Sequence, residues 1–163
     1  MTEYRVTAAA HSRADSAAII SLLDDVDGWS NWARPLVWQT RWERWGQPAP
    51  AGPGAVRRVG LWPGFIREQI LSRDSHGQTY TVITPVTFRC YHGAVHITPA
   101  SPGTDIDWQV QFVPRAAAAG PFLHKALQYV IAGLLAKLAA QAESLYATGG
   151  VGDCCYKSEG VRP

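Results

Sequence analysis

PFLHKALQYVIAGLLAKLAAQAESLYA, residues 121–147, is the stretch whose reading decides the fold. Its large apolar residues Leu123, Leu127, Val130, Ile131, Leu134, Leu138 and Leu145 recur every three or four positions, which gathers them into one stripe of a helix. Gly120-Pro121 suits a first turn, where proline's missing N–H has no helical partner to lose, and Gly149-Gly150 supplies a stop. At about 1.5 Å per residue the segment runs roughly 40 Å, enough to lie across a small sheet. His124, Lys125, Gln128 and Lys137 interrupt the apolar positions, so the segment reads as an amphipathic helix and not as a membrane span. Gly133 falls in the stripe region, where glycine costs about 1 kcal/mol against alanine, and marks a place where a backbone or a ligand can come close.

Upstream of this helix the pattern changes to strands. Residues 3–11 alternate, with Tyr4, Val6, Ala8 and Ala10 on one face. Residues 12–15 are rich in helix-capping side chains, and Ala18, Ile19, Leu22, Leu23 and Val26 then keep helical spacing until Asp27-Gly28. Trp29-Ser30-Asn31-Trp32 reads as a short turn or second helix. Residues 37–45 alternate strictly, with Trp38, Thr40 and Trp42 on an aromatic face, and residues 46–54 form a loop without periodicity. Residues 54–61, 65–73, 78–84 and 88–98 are the next strand candidates, parted by Trp62-Pro63-Gly64, Asp74-Ser75-His76-Gly77 and Pro85. Last, Ile106, Trp108, Val110 and Phe112 alternate with Asp105, Asp107, Gln109 and Gln111, the cleanest strand in the chain. Short turns between strands imply antiparallel neighbours, so the expected fold class is α+β: strand, two helical pieces, six strands, long helix.

A chain of 163 residues with 47% hydrophobic residues suits one domain with an ample core. That domain is expected over residues 1–147, with residues 148–163 as a flexible C-terminal tail. No basic patch followed by an apolar core opens the chain, so a cytoplasmic location is expected. A net charge of +2 argues against a nucleic-acid partner, and the arginines at 41, 44, 57, 58 and 67 read as a solvated sheet face. The three cysteines match neither a zinc spacing nor a disulfide framework, and Cys154-Cys155 read as exposed thiols on the tail. Of seven tryptophans, Trp29, Trp32, Trp38, Trp42, Trp45 and Trp62 crowd into one part of the chain, and only Trp108 lies apart.

Three local signatures carry a family resemblance: Asp25-Val26-Asp27-Gly28-Trp29-Ser30-Asn31-Trp32, Gly54-Ala55-Val56-Arg57-Arg58, and Gly103-Thr104-Asp105-Ile106-Asp107-Trp108. With the element order above, they resemble the SRPBCC superfamily of START-like, or helix-grip, domains. Within it they resemble the bacterial polyketide cyclase/dehydrase and lipid-transport family, over residues 3–146. The resemblance implies a curved seven-stranded antiparallel sheet wrapped around the C-terminal helix, with an apolar cavity between them. It implies neither a cofactor nor a metal. The occupant it implies is a hydrophobic small molecule such as a lipid, a polyketide or an isoprenoid. The alternative is a cyclase or dehydratase acting on such a ligand.

The residues agree with this picture, because Ile106, Trp108, Val110 and Phe112 can form a concave face opposite Leu127, Val130, Ile131 and Leu134. Trp38, Trp42, Arg58, Tyr80, Tyr91, Trp108, Phe112, Leu127 and Ile131 are the expected ligand-binding residues. Cyclase chemistry needs a polar group or two inside an apolar cavity, for which Arg58, Arg67, Glu68, Tyr80 and Tyr91 are the candidates. Cys90, His92 and His96 share one strand face, but Val95 and Ile97 claim the buried one, so the three should point outward. No phosphate loop, nucleophile elbow or Ser/His/Asp spacing is present.

Overall fold

The structure, a computed structural model, describes residues 2–61, 64–85 and 87–149. The chain begins with β1 (Tyr4–Ser12), α1 (Ser16–Asp24), a 3-10 turn (Val26–Gly28) and α2 (Trp29–Trp32). Six strands follow: β2 (Gln39–Arg44), β3 (Val56–Leu61), β4 (Gly64–Asp74), β5 (Gly77–Thr84), β6 (Phe88–Pro99) and β7 (Thr104–Pro114). After a second 3-10 turn, α3 (Gly120–Gly149) closes the described chain. Helix α1 and the first 3-10 turn have side-chain caps. Asp15 accepts from the Ala18 N–H at 2.8 Å and Asp25 from the Gly28 N–H at 3.2 Å, each satisfying an end group that the helix cannot.

All seven strands join one antiparallel sheet in the order β1-β7-β6-β5-β4-β3-β2. Five of the six contacts are between chain neighbours; the sixth brings β1 back beside β7, so the two ends of the meander differ in what they face. On the β1 side α3 lies across the sheet. There Val6, Val95, Ile97, Ile106, Trp108, Val110 and Phe112 are buried, as are Ile131, Leu135, Leu138 and Ala142 of the helix. β7 shows why: its buried residues alternate with more exposed ones along the strand, so one face makes core and the other faces out. Cys90, His92 and His96 lie exposed on that outer face.

Two expectations shift. The second strand begins at Gln39, because the backbone after α2 keeps turning, with the Val37 N–H donating to the Ala33 carbonyl at 3.1 Å. Val37 is buried in that turn and Trp38 is left 43% exposed against Arg34, so the expected aromatic face loses its first ring. The long helix runs on through Thr148, which was expected to begin a tail. Residues 150–163 of that expected tail, with Cys154 and Cys155, lie outside the described residues.

Candidate ligand-binding site

A hollow of about 150 Å³ remains between the inner sheet face and α3. Its helical wall is Leu127, Val130, Ile131 and Leu134; its sheet wall includes Val59, Ile66, Tyr80, Tyr91 and Trp108. Trp29, Leu36 and Val37 line it from the segment after α1, and Gly60 and the exposed Gly64 complete the lining. Leu36 reaches it because Gly133 has no side chain: a Cβ there would stand 2.5 Å from the Leu36 Cδ1. The close approach expected at Gly133 is therefore made by a neighbouring side chain. Gly93 plays a similar part on β6, where any Cβ would overlap the Tyr80 ring, so its absence lets that ring lie flat on the strand.

The wall is mostly apolar, but a polar cluster interrupts it. Arg57 on β3 has no exposed surface, and its Nε donates to the Glu68 Oε2 at 2.7 Å. Their strands bring them together, since Arg57 and Glu68 are directly opposed in the β3–β4 register. The guanidinium carbon lies 4.6 Å from the centre of the Trp29 ring and 4.9 Å from that of Tyr80, cation–π distances. Beyond it, the Trp108 Nε1 donates to the Tyr80 hydroxyl at 2.8 Å, and the Tyr91 ring stands 6.1 Å from Tyr80. Such a cluster is expensive to bury unless its charges are paired and its donors find partners.

Burial sets the protonation of the phenols. Loss of water pushes the Tyr80 hydroxyl well above the ordinary tyrosine range, and the nearby Glu68 carboxylate pushes it further. Tyr91 is raised in the same direction, again chiefly by burial and then by Tyr80 and Glu68. Both therefore stay neutral at physiological pH and act as hydrogen-bonding groups rather than as bases.

Of the nine residues expected from sequence, the structure brings Tyr80, Tyr91, Trp108, Leu127 and Ile131 to the hollow. It places four elsewhere. Arg58 points to the opposite face of the sheet, stacked on Phe65 and 3.8 Å from Glu43, because neighbouring residues of a strand alternate and Arg57 takes the inner side. Trp38 lies on the surface. Trp42 tucks its indole toward α1, where Nε1 donates to the Asp24 carbonyl at 3.2 Å. Phe112 is buried but is packed between Tyr4 and Phe88, at 5.4 Å from each, so protein rings already fill its surroundings. Among the polar candidates, Glu68 lines the hollow while Arg67 pairs with Glu43 at 2.6 Å on the outer face. Arg57, assigned from sequence to the solvated face, is the residue that was missed.

Larger clefts exist but differ in kind: one, about 530 Å³, is an open outer groove flanked by Arg41, Glu43, Arg44 and Arg67. Among the described residues no group of three or more His, Cys, Asp or Glu side chains is placed to hold a metal ion. No helix among them is long and apolar enough to cross a membrane.

Comparison with solved structures gives the same architecture. The Zhui aromatase/cyclase from a Streptomyces species superposes with a TM-score of 0.77 at 17% identity, covering 91% of this chain and 99% of the other. A START superfamily protein from Mycobacterium smegmatis gives 0.73 at 14% identity, covering 86% and 98%. One part of the di-domain aromatase/cyclase StfQ, of the steffimycin biosynthetic pathway, gives 0.73 at 15% identity, covering 89% of this chain and 52% of that one. At these identities the likeness is one of fold. No curated protein sequence matches the chain. The family model described as "Polyketide cyclase / dehydrase and lipid transport" matches residues 3–143, and with its helix-grip fold the chain belongs to that family.

Proposed function

We propose that this protein binds a small hydrophobic molecule between its sheet and α3. The observation that carries the reading is the hollow itself: about 150 Å³ left unfilled by the protein's own side chains, in an interior that otherwise packs densely. A void of that size lined by aliphatic and aromatic groups takes a single ring or a short chain, and a longer lipid, polyketide or isoprenoid would extend past Gly60 and Gly64. The site residues proposed are Tyr80, Tyr91, Trp108, Leu127 and Ile131, with Arg57 and Glu68 added. A cytoplasmic setting fits a carrier of this kind.

A second reading is a cyclase or dehydratase acting on the bound molecule, and one feature favours it. Polar groups converge in the cavity wall, where Arg57 N–H groups could polarise a carbonyl oxygen and a neutral phenol could hand over a proton. Uniformly apolar walls would favour carriage alone.

Native mass spectrometry of protein purified from its own host tests the binding reading. An apolar ligand released on denaturation is expected, and its absence from every preparation would count against the cavity. Incubating the recovered ligand with fresh protein separates the two readings: an unchanged mass and an unchanged chromatographic retention mean carriage, an isomer of the same mass means a cyclase, and loss of water means a dehydratase.

A further inference from the structure

Arg57 has more donors than the protein uses. Nε is taken by Glu68, yet Nη1 and Nη2 have no hydrogen-bond partner among the described residues, although the side chain is fully buried and lines the hollow. Buried guanidinium N–H groups left unpaired are costly, and natural interiors leave few of them. The rings of Trp29 and Tyr80 lie against the guanidinium and Glu68 occupies its Nε, so the two Nη nitrogens are the donors left unpaired where the arginine meets the hollow. The Tyr80 hydroxyl, already accepting from Trp108, and the Tyr91 hydroxyl stand on the same wall.

We infer that this end of the cavity is a carboxylate subsite, so that the ligand is a compact apolar body ending in a carboxylate held by Arg57 Nη1 and Nη2. The inference rests on the binding function proposed above and adds the chemistry of the ligand's polar end. Two parallel N–H donors match two planar carboxylate oxygens, a geometry that a lone ketone or hydroxyl oxygen does not meet. A carboxylate is an acceptor only, and the wall supplies donors: two unpaired guanidinium nitrogens and two phenols that burial keeps protonated and that are hydrogen-bonded to each other, which leaves one O–H between them for a guest. Glu68 already balances the arginine, so these donors rather than net charge must hold the second anion, and the apolar remainder sits against Leu127, Val130 and Ile131.

Toluene, acetophenone and benzoate are ring-sized probes that differ in this one feature, and their dissociation constants can be measured on the full chain at neutral pH by NMR titration. Benzoate should bind at least tenfold more tightly than acetophenone, and acetophenone at least as tightly as toluene. In Arg57→Met/Glu68→Met, which replaces the pair by apolar groups of similar length, toluene should still bind and the preference for benzoate should vanish. Arg57→Lys, which keeps the charge but loses the fork, should lose most of it. If the double variant does not fold, the wild-type order decides alone. Toluene binding with benzoate no tighter than acetophenone would overturn the carboxylate subsite and leave the cavity standing. A benzoate preference that survives in the folded double variant would place the anion elsewhere, for example at the outer arginine groove, and would also overturn it. No binding of any probe would overturn the cavity reading together with the subsite.

Discussion

Arg57 and Arg58 are neighbours in sequence and live in opposite worlds. Arg57 is wholly buried, paired with Glu68 at 2.7 Å and set against two aromatic rings. Arg58 stands on the outer face with Arg41 and Arg67 directly beside it in the strand register, and Glu43 lies 3.8 Å from Arg58 and 2.6 Å from Arg67. The same charges therefore do different work on the two sides of one sheet. Inside, where water cannot compensate, the pair is held rigidly because either partner alone would be a stranded charge. Outside, Arg67 is 50% exposed and solvent screens much of the repulsion along the row, while the less exposed Glu43 bridges Arg58 and Arg67.

The sharpest way to break this comparison is to cut one partner on each side. Arg57→Met should destabilise the fold by about 3–5 kcal/mol, and Arg57→Met/Glu68→Met by distinctly less, because it strands no charge. Urea unfolding of the three proteins measures this, and a single variant as stable as wild type would show that the inner pair is not buried in solution.

The next effect comes from pH. Tyr80 and Tyr91 have raised folded-state pKa values, whereas in the unfolded chain a tyrosine ionises near pH 10. Above about pH 10 the unfolded chain releases these protons and the folded one keeps them, so stability is full below that pH and falls above it. The slope for two such groups is about 2.7 kcal/mol per pH unit until the folded-state values are reached. Tyr80→Phe/Tyr91→Phe should remove that part of the alkaline decline, and an unchanged slope would contradict the burial of both phenols.

Smaller still, Trp108→Phe takes away the indole N–H that reaches Tyr80 and should cost about 1–2 kcal/mol. On the outer face the half-exposed Arg67 is the partner to cut: Arg67→Met should change stability by no more than about 1 kcal/mol, and the change should shrink further in added salt. A loss on the scale of the inner pair would erase the contrast between the faces.

The same contrast explains what could be read from the sequence. The long helix and β7 were legible because each buries one face only, which leaves a clean period of 3.6 or 2. Trp108 was legible as an inner position for that reason, whereas Tyr80 and Tyr91 were singled out as polar candidates on strands whose facing the pattern left open. Arg57 was not, because five arginines read together as composition suggest a solvated face. Yet part of the signal was there: once Leu61 pairs with Gly64, Arg57 falls opposite Glu68, and alternation puts both on the side of Val59 and Ile66. Phe112 had the right face and the wrong depth, since no pattern along β7 tells that Tyr4 and Phe88 crowd around it. Trp38 and Trp42 depended on where the α2–β2 turn ends and on an indole bond to the Asp24 carbonyl, both of them tertiary facts. The hollow was out of reach for a related reason: periodicity gives the two walls and not the distance between them.

The most direct test of that distance is a toluene titration followed by NMR of the side-chain methyl groups. Saturable shifts centred on Leu127, Val130, Ile131 and Leu134, and abolished when Leu134→Trp fills the space, are what the account predicts. Shifts that never saturate, or that fall on the outer face of the sheet, would contradict it.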